Sequence, residues 1–126
     1  NGTASALVLS NPNNTYSGGT VLSGDGGTLQ IAADGSLGKP GTAITVTANA
    51  TLQLSTSDIP DMNRPISIAS GKTFAIGTSG HSLTEAGVIS GSGAALKKTS
   101  LGSLILTNAN TYSAGTTIQQ GTLALS

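Results

Sequence analysis

The chain has 126 residues, of which 37% are hydrophobic, 8% charged and 2% aromatic, and its five Lys and Arg balance its five Asp and Glu. This balance predicts a chain that folds, and it argues against nucleic acid as a partner because the adjacent Lys97 and Lys98 are too few for a basic patch. Cysteine is absent, which excludes disulfide bonds and thiolate metal sites.

Short β-strands are the predicted elements along the whole chain. Gly and Pro recur throughout, and apolar residues fall at every second position, which argues against helices. No apolar run reaches 18 residues, so no membrane-spanning helix is predicted. In chain order the predicted strands are residues 7–9, 20–22, 28–31, 43–46, 51–54, 66–68, 73–76, 87–90, 95–98, 104–107, 116–118 and 122–125. Such a series is typical of an antiparallel sandwich or barrel, or of a solenoid.

A sequence repeat that occurs twice, here called the repeated phrase, favours the solenoid. Residues 7–31 and 104–125 share twelve aligned identities, among them the Asn-Thr-Tyr-Ser that ends at Ser17 and at Ser113. In a repeat architecture each unit buries its apolar face only against its neighbours. Groups of three strands recur about every 20 to 25 residues, so about five coils fit in the chain.

The second copy resembles the passenger-associated transport repeat, also called the autotransporter-associated β-strand repeat, of Gram-negative type V secreted proteins. Residues 89–125 follow the family pattern I-S-G-x-G, L-x-K-x-G-x-G-x-L-x-L and N-T-Y-x-G-G-T-x-I-x-x-G-T-L. The departures are Ser100 and Leu101 before the second Gly, and Ala114 in place of a Gly. The first copy resembles the same repeat and continues into its A-D-G-x-L-G at 33–38.

The resemblance implies an all-β fold, a single-stranded right-handed parallel β-helix of about five coils. It makes residues 1–126 one β-helix segment, with repeat motifs at 7–31 and 89–125, and an excised or mature piece of a longer passenger. A C-terminal outer-membrane barrel would carry that passenger to the surface of a Gram-negative bacterium. The stretch 55–71 matches no part of the motif, and its residues 57–65 are expected to be a solvated excursion.

The implied function is non-catalytic, a rigid stalk that supports secretion and folding and whose partners are neighbouring coils. The alternative is an adhesive module that contacts a host surface or matrix, or that associates head to tail with an identical chain. Head-to-tail stacking is plausible because residues 3–11 correspond to 100–108, which places both ends in the same phase of the repeat.

The motif residues have structural roles in this interpretation. We expect Gly19, Gly115 and Gly121 to adopt positive φ or to allow close approach of coils. Tyr16 and Tyr112 are expected to fill the corner of a coil, and the Asn side chains could stack as a ladder from coil to coil.

A fragment of a β-helical polysaccharide-active enzyme is the remote alternative, and Asp58, Asp61 and Arg64 would carry it. Pro60 and Pro65 bracket this group in what reads as one solvated loop. His81 is the single histidine and is expected to be a turn residue without metal-ligand spacing. The Asp-containing stretches 23–27 and 33–38 satisfy no calcium motif and are predicted to be turns. The sequence therefore predicts no catalytic residue, no cofactor and no metal site, and it identifies no binding residue.

Overall fold

The computed structural model of the chain describes residues 6–23 and 25–125. These residues form fourteen β-strands and one turn of 3-10 helix, Asp34–Leu37, which confirms the all-β prediction. The strands are β1 (Ala6–Leu9), β2 (Thr20–Leu22), β3 (Gly27–Ile31), β4 (Ile44–Val46), β5 (Ala50–Leu54), β6 (Ile59–Met62), β7 (Ile66–Ile68), β8 (Thr73–Gly77), β9 (Ser82–Glu85), β10 (Ile89–Ser90), β11 (Ala95–Thr99), β12 (Ser103–Leu106), β13 (Gly115–Ile118) and β14 (Thr122–Leu125).

The strands stack into three parallel sheets that run along a β-solenoid of about five turns. The first sheet has the order β1-β3-β5-β8-β11-β13, the second β2-β4-β7-β10 and the third β6-β9-β12-β14. Paired residues of the first sheet lie 20 to 24 positions apart in sequence, as the spacing of the predicted strands indicates. We number coils 1 to 6 by the strand of the first sheet with which each begins, so coil 6 is incomplete.

Strands β3, β5 and β11 of the first sheet place alternate side chains in the core. Leu29, Leu52 and Ile76 pair in register across three coils and are buried. The neighbouring Thr51 and Gln53 point outward and are half-buried. Because side chains alternate between the two faces of a strand, one column of apolar residues runs through the solenoid while polar residues cover it.

Each copy of the repeated phrase closes one complete coil. In the first copy Leu7 pairs with Leu29, and in the second Leu104 pairs with Leu123. The phrase thus begins with a Leu-x-Leu strand and ends with the Gly-Thr-Leu strand that lies directly upon it. The length of the repeat is the length of one turn of the solenoid.

The two copies nevertheless occupy different faces of the solenoid. The first copy begins in the first sheet with β1, whereas the second copy begins in the third sheet with β12. The expectation that both ends fall in the same phase is therefore wrong, because the second copy is rotated by one face. Similarity of sequence between the ends gives no argument for head-to-tail stacking.

Residues 55–71 form an ordinary part of coil 3, and the expectation of a solvated excursion is wrong. Strands β6 and β7 lie in this stretch and pair in the third and second sheets. Ile59 and Met62 are buried with two exposed residues between them, and the pairing with β9 shifts register at this point. Pro60 is tolerated because β6 is an edge strand.

Side chains of one coil bind the backbone of the next at several corners. Asp25 Oδ1 accepts the Asn49 N–H at 2.9 Å, and Asn49 Oδ1 accepts the Thr73 N–H at 2.9 Å. Asn49 thus binds a backbone group of the adjacent coil, so the prediction of stacked Asn side chains is wrong at this corner. The positive φ expected at Gly19, Gly115 and Gly121 is confirmed.

The alternation in β5 predicts opposite effects of substitutions at two adjacent residues. We expect Leu52→Ala to lower the free energy of unfolding by about 2–5 kcal/mol, because it leaves a cavity in the apolar column. Thr51→Ala on the outward face should change it by less than about 0.5 kcal/mol. Denaturant unfolding of the two variants measures this difference, and similar losses for both would contradict the assigned faces.

Candidate functional site

Arg64 makes more hydrogen bonds than any other charged side chain in the described part of the chain. It follows β6 in coil 3, is completely buried, and reaches back over the 3-10 helix of coil 2. Its Nε donates to Asp34 Oδ1 at 2.7 Å, and Nη2 donates to Asp34 O at 2.9 Å and to Gly38 O at 3.1 Å. Nη1 donates to Leu37 O at 3.0 Å and to Thr42 Oγ1 at 2.6 Å.

These bonds make Arg64 a structural clamp on residues 34–42. A guanidinium has five N–H donors in a fixed plane, and here they satisfy one carboxylate and the carbonyl oxygens of a tight loop. The expectation that Asp58, Asp61 and Arg64 share one solvated loop is therefore wrong for Arg64, whereas the two Asp residues are exposed. Arg64 points into the solenoid and pairs with Asp34, so the three residues form no common site.

Glu85 is a second buried ionisable group, one coil further along. Its Oε1 accepts the N–H groups of Arg64 at 3.1 Å and Gly87 at 2.8 Å. Its Oε2 is buried and has no hydrogen-bond partner among the described residues. Burial raises the pKa of Glu85 from its ordinary value of 4.5 to about 7, despite the two backbone N–H groups.

Lys98 is the third charged side chain in the interior. Its Nζ donates to Thr99 O and Ser100 O, both at 2.7 Å, at the corner between β11 and β12. Burial lowers the pKa of this ammonium group, because the charged form is desolvated there. Like Arg64, Lys98 donates hydrogen bonds to backbone carbonyl groups of the solenoid.

The remaining candidates from the sequence lie on the outside. Asp58 and Asp61 are exposed, and Asp58 Oδ1 accepts the Ser82 N–H at 2.9 Å. His81 Nδ1 lies 3.5 Å from the same oxygen. No local sequence pattern indicates this contact, because the two residues belong to adjacent coils. No group of three residues suited to holding a metal occurs in the ranges 6–23 and 25–125.

The two tyrosines differ in their packing. Tyr112 packs against the hydrophobic core, as expected of a residue that fills a corner. Tyr16 is 39% exposed, and its hydroxyl lies 3.3 Å from Thr20 Oγ1. The expected corner-filling role is thus seen at Tyr112 and is incomplete at Tyr16.

The outward side of the first sheet carries a shallow groove of about 460 Å³. Its lining includes Asn49, Thr51, Thr73, Ala75 and Lys97, and Lys97 is its only titratable residue. A groove with one ammonium group lacks the acid–base pair that glycoside hydrolysis needs. Within the described ranges, no helix is long and apolar enough to cross a membrane.

Comparison with known proteins agrees with the resemblance in the sequence. Residues 4–31 and 96–125 match the family model described as passenger-associated-transport-repeat. The chain is also 38% identical over 120 residues, 94% of its length, to the adhesin BmaC autotransporter of Brucella suis biovar 1 (strain 1330). It spans 3% of the length of that relative. No solved structure matches the chain.

Removal of the Arg64 clamp should destabilise the solenoid strongly. We expect Arg64→Ala to lower the free energy of unfolding by about 3–5 kcal/mol, because it leaves Asp34 and several carbonyl groups without their buried partner. Arg64→Lys should recover little of this loss, since one ammonium group cannot reach the same acceptors. Denaturant unfolding and amide hydrogen exchange of residues 34–42 measure the effect. The control is Lys39→Met, which removes an exposed charge from the same loop; equal losses for both would disprove the clamp.

The raised pKa of Glu85 predicts a chain that is more stable in mild acid. The folded state holds the proton up to about pH 7, whereas the unfolded chain loses it near pH 4.5. Stability from this group is therefore complete below pH 4.5 and falls as the pH rises to about 7, by an amount on the order of 3 kcal/mol. Unfolding between pH 4 and 8 should show this slope in the parent and a flatter one in Glu85→Gln. Asp61→Asn, which alters an exposed carboxylate, should keep it; an unchanged slope in Glu85→Gln would contradict the assignment.

Proposed function

We propose that this chain, an autotransporter passenger segment that carries two passenger-associated transport repeats, acts as a non-catalytic rigid stalk and supports folding of the passenger during secretion. The observation that carries the proposal is the six-stranded first sheet, to which every coil contributes one strand. At the usual spacing between strands, its five intervals give a column about 24 Å long.

The hydrogen bonds of the buried charged side chains support a structural role. Arg64 and Lys98 donate to backbone carbonyl groups of the solenoid, and Asp34 is bound to Arg64. A catalytic group has to reach a substrate, and these groups are enclosed. The side chains that reach solvent on the first sheet are mostly small and polar, which suits a soluble spacer.

Assembly along one axis supports a role in secretion. In a parallel solenoid each new coil finds its hydrogen-bond partners on the coil already formed. Folding outside the membrane can therefore proceed coil by coil, and each added coil opposes return of the chain. In this proposal, folding coil by coil takes place at the surface of a Gram-negative cell.

Display of a longer passenger containing this segment tests the proposal with two adjacent substitutions. Leu52→Asp places a charge in the apolar column and should sharply reduce the amount of passenger on the surface, because this coil can no longer close. Thr51→Asp places the same charge on the outward face and should leave display unchanged. Surface labelling of intact cells measures both. Normal display of Leu52→Asp would show that folding of this segment does not support secretion.

Adhesion is the second candidate, favoured by the similarity to the Brucella suis relative, which is named as an adhesin. Under this candidate, outward residues of the segment contact a host surface or matrix. Beads coated with the purified chain should then bind matrix or cells, and Lys97→Asp together with Thr51→Asp should abolish binding. For a stalk, we expect no binding by either form.

Self-association is a further form of this candidate, and the apolar residues at the two ends favour it. Leu7 and Val21 are exposed in coil 1 and Leu125 is exposed in coil 6, where strand edges also lack partners among the described residues. Sedimentation over a range of concentrations tests it. A chain that stays monomeric at high concentration would exclude the fibre unit.

A further inference from the structure

The two copies of Asn-Thr-Tyr-Ser lie at different corners of the solenoid and show opposite sides of the same local structure. The first copy, residues 14–17, is covered by the next coil, and the second, residues 110–113, rests on the preceding coil. Each copy therefore displays the contact that the other lacks. Together they give the complete surroundings of this motif.

The first copy is covered by the turn Asp-Gly-Ser-Leu-Gly, residues 34–38. The N–H of Asn14 donates to Gly35 O at 3.1 Å, and Asn14 Nδ2 donates to Ser36 O at 2.9 Å. The N–H of Lys39 donates to Tyr16 O at 3.0 Å. The Tyr16 hydroxyl also donates to Ser36 O at 3.4 Å, so four hydrogen bonds hold the turn on the motif.

Gly38 fits the ring of Tyr16 because it has no side chain. Its φ is +84°, and a Cβ there would collide with the Tyr16 carbonyl oxygen and lie 3.0 Å from ring atom Cδ1. Leu37, the preceding residue, is fully buried in the core. The Asp34 carboxylate turns away to Arg64, so the seated part of the turn is Gly-x-Leu-Gly.

The second copy is bonded on the other side. Asn110 Oδ1 accepts the Ile89 N–H at 2.8 Å, and the N–H groups of Thr111 and Ser113 donate to Ile89 O and Gly91 O. These contacts use the side of the motif that faces coil 4. The opposite side borders an open cleft of about 400 Å³ lined by Leu106, Asn110, Tyr112, Ser113, Thr116 and Leu125.

Both corners have the same local structure. The tyrosine hydroxyl meets the threonine four residues later in each copy, at 3.3 Å for Tyr16 and at 2.6 Å for Tyr112. In each copy the Leu-x-Leu strand also pairs with the following Gly-Thr-Leu strand. The surface that receives residues 34–38 in the first copy is therefore present, unoccupied by the described residues, in the second.

We propose that the cleft at residues 110–113 is a docking site for a Gly-x-Leu-Gly turn of another passenger coil. The turn would accept a hydrogen bond from Asn110 Nδ2 and donate one to Tyr112 O. Its second Gly would lie on the Tyr112 ring and its Leu would extend the core beside Leu106. The inference rests on the proposed stalk only in that a further coil supplies the turn.

An extended chain tests the proposal in solution. A copy of residues 33–46 is added directly after Ser126, the position that corresponds to Ala32 in the first copy. The added turn should then lie on residues 110–113, and the added Ile-Thr-Val should pair with β13 as β4 pairs with β2. We expect a thermal midpoint about 5 °C higher, since more apolar surface is buried, and nuclear Overhauser contacts between the Tyr112 ring and the added second Gly.

The matched control is the same extension with alanine in place of that second Gly. Because a Cβ would collide at this position, the control should show neither the higher midpoint nor the ring contact. Equal stabilisation by both extensions, or no contact with Tyr112 in either, would overturn the proposal. Dimerisation of the unextended chain that Tyr112→Ala abolishes would assign the cleft to a second copy instead. The experiment uses purified protein, so its outcome is independent of the display assay that tests the stalk.

Discussion

Parallel stacking is the constraint on which the whole structure depends. A parallel strand can satisfy its N–H and C=O groups only on neighbours from other coils, because no tight turn connects parallel partners. Each coil therefore presents two open edges until the coils on either side are in place. The apolar column follows the same rule, since Leu52 is covered by Leu29 on one side and by Ile76 on the other. Stability and length grow together in such a protein.

Charged residues in the interior make sense under that constraint. The corners between strands turn carbonyl groups inward, and a buried carbonyl without a donor is costly. Arg64 and Lys98 supply donors to two such corners, in coil 2 and coil 5. Glu85 does the reverse by accepting two backbone N–H groups. Three ionisable side chains therefore lie in the interior of a chain that has few of them. Each one provides hydrogen bonds to backbone groups that would otherwise lack a partner at a corner.

The sequence predicted regular strands well and the contacts between coils poorly. All twelve predicted strands exist within a residue or two, because an apolar residue at every second position reports a half-buried strand. Strands β6 and β9 were missed: β6 contains Pro60 and buries Ile59 and Met62 at a spacing of three, and β9 is polar. The pairing of Arg64 with Asp34 joins residues 30 positions apart, and no local pattern announces such a partner. At Ser100, in contrast, the family pattern does indicate the local conformation. This residue replaces the Gly of the pattern and still adopts a positive φ of 59°.

The rotation of the second copy by one face changes what the repeat means for function. If the phrase marked a binding surface, its two copies would be expected on the same side of the column. They lie on different faces, yet each joins its own first and last strands in the same register. The phrase therefore specifies how a coil closes, independently of where around the axis it begins. Any residues of this segment that select a partner should accordingly be sought outside the phrase, among outward positions such as Lys97 and Lys39.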